Sequence, residues 1–169
     1  MLKPEAYDPN YIQIIKKGRI FSAKLFKTVG YSNFRSGDLS KFKFMQAKVK
    51  MIENKQKGSE TPLLCGIQRL KSFNNNQGIY SSQEGIYFFH FHDKHIYGCS
   101  NFDIKTDLKF DSNGESLIIQ VDRTNDLLSF IDDYNKKWSI KLSKVVGEDP
   151  FVFSFLMYQL DVEIQVQFY

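Results

Sequence analysis

The sequence predicts an all-β protein, an antiparallel two-sheet β-sandwich, and three observations carry that prediction. Apolar and polar residues alternate with a period of two through residues 41–52, 138–142 and 161–168, as they do in strands with one face buried. Residues 114–130 (GESLIIQVDRTNDLLSF) set a polar break, Arg123-Thr124-Asn125-Asp126, between two apolar runs, which is a hairpin signal. No segment sustains a 3.6-residue period, while turn signals recur at intervals of roughly ten residues.

Taken in order, residues 1–10 contain Pro4 and Pro9 and read as an extended arm, which reaches to about residue 15. Residues 11–15 are a short apolar strand or a turn of helix. Residues 19–29 read as a strand on Ile20, Phe21, Leu25, Phe26 and Val29. Residues 30–39 carry Gly30, Asn33, Ser36, Gly37 and Asp38 and read as a loop holding two aromatics, Tyr31 and Phe34. In residues 41–52, Phe42, Phe44, Gln46, Lys48 and Lys50 share one parity, and Met45, Ala47, Val49 and Met51 the other. Residues 53–62 are a polar turn, and residues 63–67 a buried strand whose Gly66 permits a close backbone approach or a bulge. Residues 68–83 form the longest irregular stretch, with Phe73, Asn75 and Tyr80. Residues 85–99 are aromatic and strand-like. After the hairpin, residues 132–135 (DDYN) make a turn, Trp138, Ile140 and Leu142 alternate, and residues 147–150 turn again. Strands over 151–156 and 161–168 close the chain.

The totals agree with one globular unit over residues 1–169. Apolar residues make up 42% and aromatics 15%, the latter mostly Phe and Tyr, which favour strands. The net charge of +4 comes from lysines interspersed with acids along the chain. A nucleic-acid interface would gather its basic residues on one element, with arginine prominent, so no nucleic-acid partner is expected. There is no stretch of about 18 apolar residues, as a membrane helix needs, and the first residues lack the apolar run of a signal peptide. Cys65 and Cys99 lie far apart in apolar segments, as free thiols do in a reducing compartment. The expectation is an intracellular protein, cytoplasmic or cytoskeletal, with no membrane partner.

The segment LIIQVDRTNDLLSF resembles the central signature of SPRY/B30.2 domains, in which an apolar strand ending in Asp is followed by a short turn and a Leu-Ser-Phe strand. Here those residues are Asp122 and Leu128-Ser129-Phe130, with Gly114-Glu115 in the place of a Gly-Asp pair. Asp149-Pro150-Phe151-Val152-Phe153-Ser154 resembles the family's Pro-containing strand, and residues 161–168 its closing strand. Upstream, Ser36-Gly37 with residues 44–51, and Cys65-Gly66-Ile67, are similar to two further segments, with Lys48 where an acid is common. The resemblance runs from about residue 42 to residue 169. It implies a bent two-sheet sandwich of the concanavalin-like type, a binding function without catalysis, no cofactor, and loops at one edge that hold a peptide or protein.

Loop aromatics are natural anchors for such a function. The candidates are Tyr31, Phe34, Phe73, Asn75, Tyr80, Asp132, Tyr134 and Trp138. The three histidines, His90, His92 and His95, invite a second reading. A two-residue hairpin tip at Asp93-Lys94 would set His92 opposite His95 and His90 opposite Tyr97, with all three imidazoles on one face. That face would suit zinc or a pH-responsive patch. The bland alternative is a polar, solvent-facing strand. Catalytic motifs are absent: there is no GxSxG, P-loop, HExxH or dinucleotide glycine pattern, and Asp132-Asp133 reads as a turn rather than an acid/base pair. The sequence therefore points to a non-catalytic protein-binding or adaptor module. A small structural subunit of a larger assembly is the alternative, and a metal site or enzyme at the histidines a distant third.

Overall fold

A computed structural model describes residues 2–5, 7–27, 32–54, 63–72, 85–89, 94–98, 102–158 and 162–169, with the side chains of residues 72, 86–89 and 102 left aside. Among the described residues, thirteen strands lie in two antiparallel sheets. They are β1 (Ile12–Lys17), β2 (Ile20–Leu25), β3 (Ser32–Arg35), β4 (Phe44–Glu53), β5 (Leu63–Arg69), β6 (Gly85–Phe89), β7 (His95–Gly98), β8 (Phe102–Lys105), β9 (Ser116–Asp122), β10 (Leu127–Asp132), β11 (Lys137–Lys141), β12 (Phe151–Met157) and β13 (Glu163–Phe168). One sheet has seven strands in the order β1-β2-β13-β4-β9-β10-β11, and the other six, in the order β3-β12-β5-β6-β7-β8. A 3-10 turn at Leu70–Ser72 follows β5 and a short helical turn, α1 (Ser143–Val146), follows β11, and among the described residues no helix is long and apolar enough to cross a membrane.

The alternation read from sequence is the alternation of burial. Met45, Ala47, Val49 and Met51 of β4 face inward, as do Leu117, Ile119 and Val121 of β9 and Ile164, Val166 and Phe168 of β13. The β9–β10 hairpin closes as expected: Leu127 pairs with Asp122, and the Asp122 carboxylate accepts hydrogen bonds from the Asn125 backbone N–H at 3.0 Å and its side-chain amide at 2.7 Å. The sheets meet through aromatic rings, with the ring centroids of Phe153 on β12 and Phe168 on β13 6.0 Å apart. β5 and β12 are buried along both faces, so they read in sequence as near-continuous apolar runs. At Gly85 a Cβ would come within 2.0 Å of the Ile67 carbonyl oxygen, so only glycine permits that approach of β6 to β5.

Three expectations change. Residues 32–35 are a strand rather than a loop, because β12 supplies partners for them, Phe34 opposite Phe155 and Asn33 opposite Leu156; tertiary pairing outweighs a loop-like composition. Residues 12–15 belong to β1, paired residue by residue with β2, rather than to the arm. The β6–β7 register sets Tyr87 opposite Tyr97 and Phe88 opposite Ile96. Tyr97 therefore does not face His90, and the pairing is displaced by three residues from the two-residue tip. An odd displacement turns the strand's faces over.

Strand directions sort the connections between two ends of the sandwich. At one end β4 and β10 finish and β9, β11 and β13 begin, and there β8 and β12 finish and β5 and β7 begin. At this end the β8–β9 connection is tied to both sheets: the Lys109 backbone N–H donates to the Asp132 carboxylate at the end of β10 at 2.9 Å, and Asp111 meets the Lys94 ammonium just before β7 at 2.5 Å. β5 finishes and β6 begins at the opposite end, where Lys71 pairs with Asp149 at 2.9 Å.

Candidate interaction site

The β10–β11 turn is built around a buried acid. Asp132 is 3% exposed. Its Oδ1 accepts from the backbone N–H groups of Tyr134 and Lys136, both at 2.9 Å, and its Oδ2 from that of Lys109. One carboxylate thus holds its own turn and the β8–β9 connection. Asp133, next along, accepts from the Ser116 backbone N–H at 2.6 Å and lies 3.7 Å from the Lys48 ammonium. The two neighbouring acids thus tie the turn to different parts of the chain, Asp132 to the β8–β9 connection and Asp133 to β9 and β4.

On this fixed turn stands Tyr134, 62% exposed, the most exposed large hydrophobic side chain among the described residues. The Lys109 ammonium lies 4.7 Å from the centre of its ring, within the range of a cation–π contact. Beside it Lys136 pairs with Asp107 at 2.7 Å. That hydrogen bond holds the Asp107 carboxyl below the usual range and raises the Lys136 ammonium. Both groups are largely in water, so the pair contributes little to stability. The result is a rim, pinned by the Asp132 carboxylate, that presents one aromatic ring with the Lys109 ammonium against it.

The other candidates fall elsewhere. Phe34 is not a loop residue: it is fully buried in β3 and stacked on Phe155 at 4.8 Å. Trp138 sits within β11 and faces inward, opposite Phe130 and 6.1 Å from its ring centre. It closes the rim of the core and is half-buried. Tyr31, Phe73, Asn75, Tyr80, His90 and His92 lie outside the described residues. His95 is in contact with Asp103 through Nδ1, on the strand pair β7–β8. Among the described residues no three histidines, cysteines or acids are grouped to hold a metal. Cys65 is a buried free thiol, and burial raises its pKa so that it stays protonated; Cys99 lies outside the described residues.

Sequence reasoning missed two features. Lys109 and Asp107 carry no local signal, because the 106–110 segment meets the turn only through the fold. Phe44 and Tyr169 were legible. Phe44 shares its parity with Gln46, Lys48 and Lys50, the polar face of β4, and it is 49% exposed. Tyr169 exchanges two backbone hydrogen bonds with Gln46, at 3.0 and 3.2 Å, and is 55% exposed two residues from Phe44 on that outward face.

No family model matches this chain, and no curated protein matches it in sequence. Solved structures do. The SPRY domain of human HERC1 superposes with a TM-score of 0.65 at 13% identity, over 96% of this chain and 96% of that one. The PSpry domain of TRIM65 gives 0.63 at 7% identity, over 99% of this chain and 92% of that one. Peanut lectin, solved with a nine-residue peptide, gives 0.56 at 11% identity, over 99% of this chain and 90% of that one. The superpositions show that this chain has the β-sandwich fold that SPRY domains and lectins share.

Proposed function

We propose that this protein is a non-catalytic interaction module that grips a peptide or protein surface with the end of the sandwich where the β10–β11 turn projects. The observation that supports this most is Tyr134: a largely exposed ring on a turn whose backbone donates two hydrogen bonds to one buried carboxylate, which a third, from Lys109, ties to the β8–β9 connection. An exposed aromatic side chain on a fixed backbone loses little freedom when a partner covers it. SPRY domains are the structural neighbours, and the resemblance in the β9–β10 hairpin implies the same class of role. A displayed peptide library panned against the whole chain and against Tyr134→Ala tests the reading. Enriched peptides should bind the variant at least tenfold more weakly while its thermal midpoint is unchanged. Equal binding to both proteins removes Tyr134 from the site.

A second reading, a subunit built into a larger intracellular assembly, has its own support. Phe42, Phe44 and Tyr169 are exposed at the far end of β4 from the Tyr134 turn, and Ile15 and Phe26 are exposed on the β1 edge. Beside that edge a groove of about 470 Å³ is lined by Tyr7, Pro9, Ile12, Gln13, Ile14 and Phe26. Apolar exposure on several sides suits a component that neighbours cover, whereas a recogniser buries one patch of about 800 Å².

A further inference from the structure

The N-terminal segment lies along the edge of the six-stranded sheet, where β3 is the outermost strand. Pro4 forms an antiparallel bridge with Ser36, and the Glu5 backbone N–H donates to the Arg35 carbonyl at 2.8 Å. The side chains are recognised as well. Leu2 is 7% exposed and packs into the main core. The Glu5 carboxylate lies 3.4 Å from the Arg35 guanidinium. Gly37 forms the floor: a Cβ there would stand 2.9 Å from the Glu5 carboxylate and 3.6 Å from a Leu2 methyl. The trough has a backbone edge, an apolar anchor point, a cation and a glycine that makes room for both side chains.

These are the parts of a strand-addition site, in which backbone pairing supplies affinity and pockets for particular side chains supply specificity. Among the described residues the segment is held by an antiparallel bridge, a backbone hydrogen bond, a buried leucine and an ion pair whose carboxylate side chain is 43% exposed. The connection to β1 is short and itself turned, with the Tyr11 and Ile12 backbone N–H groups both donating to the Asp8 carbonyl at 3.1 Å. We infer that residues 2–5 are a tethered, exchangeable ligand, and that the trough beside Arg35–Gly37 accepts in its place an extended partner segment with an aliphatic residue three positions before an acid and proline between them. The trough is separate from the Tyr134 rim. β12 packs on β13 through the Phe153 and Phe155 contacts with Phe168, and the connection leaving β8 reaches Asp132 at the end of β10, so the two strand orders run the same way, with β3 on the β1–β2 side of the sandwich and β11 on the opposite one.

The test uses the whole chain and a labelled peptide of residues 1–7, MLKPEAY. In a Leu2→Ser/Glu5→Lys variant the tethered segment loses its anchor and its charge pair, and fluorescence anisotropy should show saturable binding of the peptide. The unaltered chain should bind at least tenfold more weakly, because its own segment competes at an effective concentration of roughly millimolar. A peptide carrying the same Leu→Ser and Glu→Lys changes should not bind the variant. In the unaltered chain, the Glu5 amide should exchange with solvent far faster than the paired amides of β12. The inference is overturned by any of four results: no binding to the variant, equal binding of the altered peptide, a variant that no longer folds, or a concentration-dependent dimer that takes up no peptide. The third would make the segment part of the core, and the last would make it an arm exchanged between copies.

Discussion

Asp132 has three backbone N–H donors and almost no water, so removing its carboxylate strands all three. Asp132→Ala is expected to cost about 1.5–3 kcal/mol, since hydrogen bonds to a charged group contribute that much and water reaches the freed donors only in part, and Asp132→Asn, which keeps one acceptor oxygen, about half of that. Urea unfolding of the two variants reads the difference. The aromatic residues separate in the opposite sense from the one their sequence neighbours suggest. Tyr134→Ala should change stability by less than about 0.5 kcal/mol, as an exposed substitution does. Phe34→Ala should cost about 3–5 kcal/mol, as truncating a buried ring does, and should do so without a specific effect on binding. The two were equal candidates as aromatics between polar residues. What divides them is whether another strand packs against the ring, and residues 30–39 contain no trace of β12.

The turns that end the strands depend on ionised acids. Hydrogen bonds from Asn125 hold the Asp122 carboxyl below its usual range, and those from Ser143 do the same for Asp126, which thereby ties the β9–β10 turn to α1. Lys94 lowers Asp111 and Lys71 lowers Asp149, in each case chiefly through a side-chain hydrogen bond. A carboxyl depressed in the folded state binds its proton less readily there than in the unfolded chain, so acid favours unfolding. The thermal midpoint should therefore be insensitive to these groups above about pH 5 and should drop once pH falls below about 4, the unfolded carboxylate value. Asp126→Asn should make that drop shallower, as calorimetry from pH 7 to pH 2.5 would show. At this scale the sequence was most readable where partners are adjacent. The β9–β10 hairpin needs only its own residues, and Asp122 with Asn125 announces the turn. β6 and β7 are equally close in sequence, yet their register was not readable. Lys94 adopts a left-handed φ of 51°, which no glycine or asparagine at that position announces.

The whole molecule sets its exposed apolar residues at different places, and their consequences for association differ. Phe44 and Tyr169 stand together because the last strand, β13, lies between β2 and β4 and brings the final residue beside Gln46. Light scattering at low micromolar concentration should show a monomer if the Tyr134 rim is the working surface. If the protein is a subunit of an assembly, it should show association that Phe44→Ser/Tyr169→Ser abolishes and Tyr134→Ala leaves intact. The all-β class and the inward faces of alternating strands such as β4, β9 and β13 were determined by the sequence alone, because a period of two is written in each of those segments by itself and needs no knowledge of neighbours. The resemblance in the central hairpin was readable for the same reason, being confined to one local unit. Tertiary structure alone decided that Phe34 and Trp138 face the core, that Lys109 lies over Tyr134, and that Pro4 and Glu5 pair beside Ser36 and Arg35. Each depends on which distant strand is adjacent in a sheet, and that order is chosen by the joint burial of both sheets' inner faces rather than by any one segment.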